Sequence, residues 1–307
     1  MKMKHWLSAA AVFLTGIAYS SAATSIELAS VAEPITLSYG PDVRNTLDLW
    51  QAAGPQATPL LIYIHGGGWL NGDKNQVFNA VNVSGWLAKG VSVASINYRY
   101  SSQAVLPAPI HDAARALQFL RYKATELNLN PECIALQGGS AGGCSTLWIL
   151  FHDDLADPTS DDPVLRESTR VQGAWGMFSQ TSIDPVVLSE WIGESAAAYP
   201  MVFRSVGANS YGEMMEDYAQ YQLLFDEFSP INHMDALDPP LFLSYPKEMT
   251  LPPSTPAAAI HHGLFGVKLK EKADEIGYTT ISLRIPGSAV PKTYANGNLF
   301  LESVLLK

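Results

Sequence analysis

A serine set among glycines is the group in this chain whose neighbours could make it reactive. Gly138-Gly139-Ser140-Ala141-Gly142-Gly143 follows a short apolar run and precedes Ser145-Thr146-Leu147-Trp148. G-x-S-x-G between a strand and a helix is the setting of a nucleophile held on a sharp turn. The glycines leave room for that turn, which lifts the hydroxyl above the sheet edge. The helix that follows aims its N-terminus at the negative charge that builds during acyl transfer. A glycine-rich turn without chemistry reads the same way locally, so a second signal is needed. His65-Gly66-Gly67-Gly68-Trp69 supplies it, directly after the apolar run PLLIYI at 59–64. A tetrahedral oxyanion requires preorganised N–H donors, and a glycine run lets the backbone approach the oxygen closely. Gly67, Gly68 and Ala141 are the expected donors. His65 is expected to brace the loop rather than to move protons.

These residues need a scaffold. Residues 46–50 (TLDLW) alternate apolar and polar and predict an edge strand. Nearly continuous apolar runs at 59–64, 91–96, 133–136, 171–178, 240–245 and 280–285 predict strands buried on both faces, as a parallel sheet under helices requires. Helical patterns at 110–127 and 265–276 lie between them. Strand and helix in alternation predict an α/β fold with a mostly parallel central sheet, helices on both faces and right-handed crossovers. Residues 179–235 lack strong strand signals and are expected to form a small cap or insertion over the site.

The ends and the composition bound the setting. Lys2 and Lys4, an apolar run from Trp6 to Ala18, and the small residues Ser20-Ser21-Ala22-Ala23 follow the order of a cleaved secretory signal. That run is shorter than the roughly 20 residues of a spanning helix. Residues 1–22 are therefore expected to be a signal peptide and 23–307 a single domain, secreted or periplasmic. A net charge of −10 argues against nucleic acid and anionic membrane as partners. Cys133 and Cys144 fall at the start of the strand before Ser140 and in the helix after it. They are expected to lie too far apart for a disulfide.

HGGGW, then Asn71-Gly72-Asp73-Lys74, then Ser95-Ile96-Asn97-Tyr98-Arg99, then GGSAGG resembles the esterase branch of the α/β-hydrolase superfamily. It is most similar to the feruloyl and acetyl-xylan esterase-like (BD-FAE-like) group, near the hormone-sensitive-lipase-like carboxylesterases. The likeness is close over 40–150 and loose beyond. It implies an α/β-hydrolase fold, a serine hydrolase of carboxylic esters, no metal or organic cofactor, and the chain order Ser, acid, His. The acid should follow PLFLSY at 240–245, where Glu248 stands; Asp184, after the preceding strand, is the alternative. Relatives place the histidine in the loop after the last strand, near Val290, and that loop holds none. Only His261 and His262 follow Glu248. His262 is taken as the base and His261 as its alternative, with a pair that merely caps the next helix as the competing reading.

Two functions follow from this. One is an active carboxylesterase forming an acyl-enzyme on Ser140, with small-molecule or polysaccharide esters, acetyl and feruloyl among them, as substrates. The other is a catalytically impaired homologue that binds a ligand or partner, because the usual histidine slot holds Val290. An amidase or peptidase on the same fold is a third. Among secondary features, Asp112 is expected to be an N-terminal helix charge and His233 structural. Asp153, Asp154, Asp157, Asp161 and Asp162 could hold Ca²⁺ but read better as a solvated loop without EF-hand spacing. Trp69, Trp175 and Trp191 could line a groove, with core packing as the default.

Overall fold

Eight strands form one sheet in the computed structural model, which describes residues 33–246, 249–287 and 293–306. They are β1 (Ile35–Ser38), β2 (Thr46–Trp50), β3 (Thr58–Ile64), β4 (Ser92–Ile96), β5 (Leu129–Gly139), β6 (Ala174–Met177), β7 (Leu241–Ser244) and β8 (Ile281–Arg284). Their order is β1-β2-β4-β3-β5-β6-β7-β8. β1 and β2 are antiparallel to their neighbours; all later pairings are parallel. β-branched and leucine-rich runs such as 59–64 sit at the centre because both faces are covered by helices. This is the α/β-hydrolase fold.

All seven predicted runs become strands, within a few residues at each end. One expectation needs correction: β2 is not the edge. β1 lies outside it. The polar residue that made the pattern alternate, Asp48, is buried. It accepts from the Thr36 hydroxyl at 2.6 Å and pairs with the Lys74 ammonium. Its polarity is answered inside the protein, so it did not mark a solvent face.

Four of the longer helices pack around the sheet. Ala108–Tyr122 buries Ala113, Leu117 and Leu120. Ala141–Phe151, buried at every position, leaves the end of β5. Leu264–Ile276 ends at Gly277 in the left-handed region, a conformation glycine adopts without strain. Gly297–Leu305 lies against β5, β6 and β7. Residues 179–235 carry five short helices between β6 and β7, beginning with Pro185–Trp191 and ending with Tyr218–Phe228. They belong to the same compact unit as the sheet. Cys133 and Cys144 are not bonded to each other. The signal-peptide reading of 1–22 falls outside the described residues, and among those described no helix is long and apolar enough to cross a membrane.

Candidate active site

Parallel strands deliver their following loops to one edge of the sheet. In register, Ile64 pairs with Gly138, and Gly139 with Met177. Residue 65, Ser140 and Phe178 therefore leave the sheet side by side. Ser140 has φ 53° and ψ −127°, a strained backbone for a residue with a side chain. The turn is held by Ser140 N–H donating to Met177 O at 2.9 Å and Cys144 N–H to Ser140 O at 2.8 Å. The glycine at 142 is obligatory, because a methyl there would strike the backbone carbonyls of Ile64 and His65.

The glycine loop after β3 turns back over this elbow with Gly67 at φ 107° and Gly68 at φ 65°. Leu70 N–H donates to Gly67 O at 3.0 Å, closing the turn. The N–H groups of Gly67, Gly68 and Ala141 have no acceptor among the described residues. His65 is fully buried beneath the loop. Its Nδ1–H donates to Gly66 O at 2.7 Å, and its ring stacks on Tyr98 with centroids 4.3 Å apart. The Tyr98 hydroxyl donates to His65 O at 2.8 Å. Burial pushes His65 down to about 4, so it stays neutral, as a bracing residue should. The neighbouring motifs support the same loop. Asn97 donates to Asp73 at 2.8 Å and accepts from Lys74 N–H at 2.7 Å. Arg44 donates to Tyr98 O at 2.7 Å. Asp112 is not the helix-start charge expected of it: the helix begins at Ala108 with no acidic residue in its first turn, and Asp112, buried, holds Arg99 through both carboxylate oxygens, at 2.8 and 2.6 Å.

The imidazole that meets the serine is His261. Its Nε2 lies 2.8 Å from Ser140 Oγ. Its Nδ1–H donates to Ala257 O at 2.9 Å, one turn back in the short helix Pro256–Ile260. A carbonyl can only accept, so this contact fixes the tautomer and leaves the Nε2 lone pair for the serine proton. Phe178 stands edge-on to the ring at 5.4 Å. Buried Gln180 donates to Ile260 O at 2.6 Å and tethers the helix that carries it. Burial lowers the His261 pKa, and the hydrogen bond to Ala257 opposes that.

His262, expected as the base, points elsewhere. It is fully buried, and its Nδ1 accepts from Leu264 N–H at 3.2 Å at the start of the next helix. Adjacent residues at a helix end project in different directions, so only one of the pair can face the elbow. His261 caps the C-terminus of Pro256–Ile260, whose dipole favours an imidazolium. Asp184 is not beside His261's ring nitrogens. It caps the helix Pro185–Trp191 by accepting from Val186 N–H at 2.8 Å, and accepts from the Tyr218 hydroxyl at 2.9 Å. Glu248 and Val290 lie outside the described residues. Phe178, Gln180 and the Ala257 carbonyl were invisible in the sequence, since nothing in their local pattern announces a contact with residue 261.

A cavity of about 550 Å³ opens over the pair, lined by Tyr63, Asn71, Gln76, Tyr199 and Pro200 besides the glycine loop, Ser140, Phe178 and His261. Tyr199 and Pro200 come from the 179–235 insertion, which thus walls the site. Trp69 is buried, with its indole N–H on Ser145 Oγ at 3.0 Å, and none of the three tryptophans lines this cavity. In the acidic stretch, Asp154, Asp157 and Asp162 accept from nearby backbone N–H groups, as loop-shaping residues do.

The family model BD-FAE matches residues 47–250. Among curated proteins, the chain is 29% identical to the probable carboxylic ester hydrolase LipM of Mycobacterium tuberculosis, over 71% of this chain and 48% of that protein. It is 28% identical to esterase LipQ of the same organism, over 76% of this chain and 53% of that protein. The chain thus spans about half the length of these relatives. An acetyl ester-xyloside bifunctional hydrolase from Caldicellulosiruptor lactoaceticus superposes with a TM-score of 0.63 at 21% identity, covering 91% of this chain and 95% of that one.

Proposed function

The chain belongs to the BD-FAE family, and from that membership we propose that it is a serine carboxylic ester hydrolase working through an acyl-enzyme on Ser140. The observation that carries the reading is the 2.8 Å contact between Ser140 Oγ and His261 Nε2, beneath a glycine loop whose N–H groups at Gly67 and Gly68 meet no acceptor among the described residues. Ser140 Oγ attacks the ester carbonyl while His261 Nε2 takes its proton. The oxygen that gains charge is met by the N–H groups of Gly67, Gly68 and Ala141. His261, now an imidazolium held by the Ala257 carbonyl, returns the proton to the departing alcohol. Water, deprotonated by the same nitrogen, then releases the acid and restores Ser140.

The impaired-homologue reading rested on the missing histidine near Val290. His261 supplies an imidazole by another route, which supports the active reading. The substrate reading is an acyl group small enough for the cavity on a polar alcohol. Tyr63, Asn71, Gln76 and Tyr199 offer hydrogen-bonding groups around the serine, which suits acetyl or feruloyl esters of polysaccharide better than long lipid chains. Export through a cleaved signal at 1–22 would bring the enzyme to such substrates.

A fluorophosphonate probe and short-chain aryl esters test this. Rapid labelling is expected, abolished in Ser140→Ala, with kcat/KM falling by about 10⁴ or more in Ser140→Ala and His261→Gln. His262→Gln should change activity far less than His261→Gln. Glu248→Gln reports whether a carboxylate assists: with the Ala257 carbonyl as the sole orienting group, kcat/KM stays within about tenfold, whereas a triad acid would cost about 10⁴. An unlabelled Ser140 with no ester turnover would sink the proposal.

A further inference from the structure

Away from Ser140, three residues that the proposed reaction does not use converge. His152 ends the helix Ala141–Phe151, Glu227 lies in the last turn of Tyr218–Phe228, and His233 follows the 3-10 turn Pro230–Asn232. One side-chain ligand atom from each lies within 4.8 Å of the others, and among the described residues this is the one such group of three. All three are half-buried.

The hydrogen bonds around the group are those of a ligand set. His152 Nδ1 meets Asp153 O at 2.8 Å, and a carbonyl can only accept, so the proton sits on Nδ1. With the ring's only proton there, Nε2 would present a lone pair to Glu227 Oε1 at 3.1 Å. Two acceptors at that distance repel unless positive charge lies on or between them. His233 Nε2–H likewise donates to the Glu227 backbone carbonyl, leaving its other nitrogen with a lone pair. Imidazoles anchored by one nitrogen to a backbone carbonyl, with the other free, are the usual outer arrangement of metal-binding histidines. Trp148 fixes the rings: it stacks on His152 at 4.2 Å, stands edge-on to His233 at 6.2 Å, and donates its indole N–H to Glu227 O at 2.8 Å. Nearby charge is already paired, since Arg170 donates to His152 O at 3.1 Å and faces Asp153.

We propose that His152, Glu227 and His233 bind a divalent transition-metal ion, zinc by preference. Two imidazoles and one carboxylate are a borderline-soft set that suits zinc and leaves a fourth position for water. Zinc with bonds of about 2.0–2.1 Å holds tetrahedral ligands about 3.3 Å apart, so separations of up to 4.8 Å would shorten on binding. The ion would join the C-terminal end of the helix Ala141–Phe151, which follows Ser140, to the helical insertion that walls the cavity. Its role is to fasten these two elements, with no part in the ester chemistry.

The test uses the untagged full chain, stripped with a strong chelator and titrated with Zn²⁺ and with Co²⁺ as a spectroscopic probe. One ion per chain with micromolar or tighter affinity is expected, with visible Co²⁺ bands and a Tm raised by several degrees at saturation. The His152→Gln/His233→Gln double variant should lose about a hundredfold or more in affinity, together with the Co²⁺ bands, while circular dichroism and ester hydrolysis report that it remains folded. Three results would overturn the proposal: no binding at millimolar ion, equal binding by wild type and double variant, or a His152 imidazolium by NMR at pH 7.5 with no response to metal. The last would assign the contact to a simple ion pair with Glu227.

Discussion

At the scale of single residues, the decisive contact is between two side chains 121 positions apart in the chain. His261 differs from the expected base, His262, by one residue, yet the two rings face different surroundings. One meets Ser140 Oγ; the other accepts from Leu264 N–H at the start of a helix. The Ala257 carbonyl orients His261 with a partial charge, where a carboxylate would bring a full one. This arrangement sets a pH dependence. Burial lowers the His261 pKa below the ordinary value of about 6.5. A general base must be neutral in the free enzyme. The acid limb of kcat/KM should therefore bend at a pH below about 6.5, with activity rising as pH increases through that point. A profile on a soluble aryl ester checks this, and an acid limb centred well above 6.5 would mean that the burial of this ring is not what governs its titration.

At the scale of elements, the elbow works because a strand, a turn and a helix are forced into close backbone contact. Ser140 sits where its backbone is strained, and the neighbouring glycines remove the Cβ atoms that would prevent closure. Gly142 is the most demanding of them, since it passes against the carbonyls of Ile64 and His65 at the base of the glycine loop. Gly142→Ala should destabilise the fold by about 3 kcal/mol or more, as overpacking against backbone does. Urea unfolding of the purified variant, or its recovery in soluble form, measures this; near wild-type stability would show that the loop can retreat. The short helix Pro256–Ile260 is the other critical element. Only five residues long, it is positioned by the Gln180 bond to Ile260 O more than by its own propensity.

At the scale of the whole molecule, the parallel sheet gathers the site by bringing the carboxyl ends of β3, β5 and β6 into register. The glycine loop, the serine and Phe178 then need no long excursions. The same compactness buries His65 beneath the site, with a consequence for acid stability. Its folded pKa is about 4, against about 6.5 when unfolded. Between these values the unfolded chain binds the extra proton, so this residue lowers stability as pH falls from about 6.5 to about 4, by up to roughly 3 kcal/mol. Above that window it contributes no pH slope. Denaturant unfolding of wild type and His65→Asn across that range should show a shallower acid decline in the variant, while identical slopes would mean that His65 takes up its proton as readily in the fold as when unfolded.

What the chain determines locally was legible in the sequence: the strand runs, the glycine elbow and the glycine loop after β3 all follow from short-range sterics and hydrophobic period, which are written in adjacent residues. β1 was missed because its short stretch is largely exposed and has no apolar run, and β2 was misplaced because the polarity of Asp48 is answered by Lys74, far along the chain. Which histidine meets Ser140 belongs wholly to the tertiary structure. Whether His261 or His262 reaches Ser140 depends on the direction in which a five-residue helix leaves the loop after β7, and that direction is set by Gln180, Phe178 and the packing of the insertion. No local pattern encodes such contacts, because their energy arises only when distant segments meet.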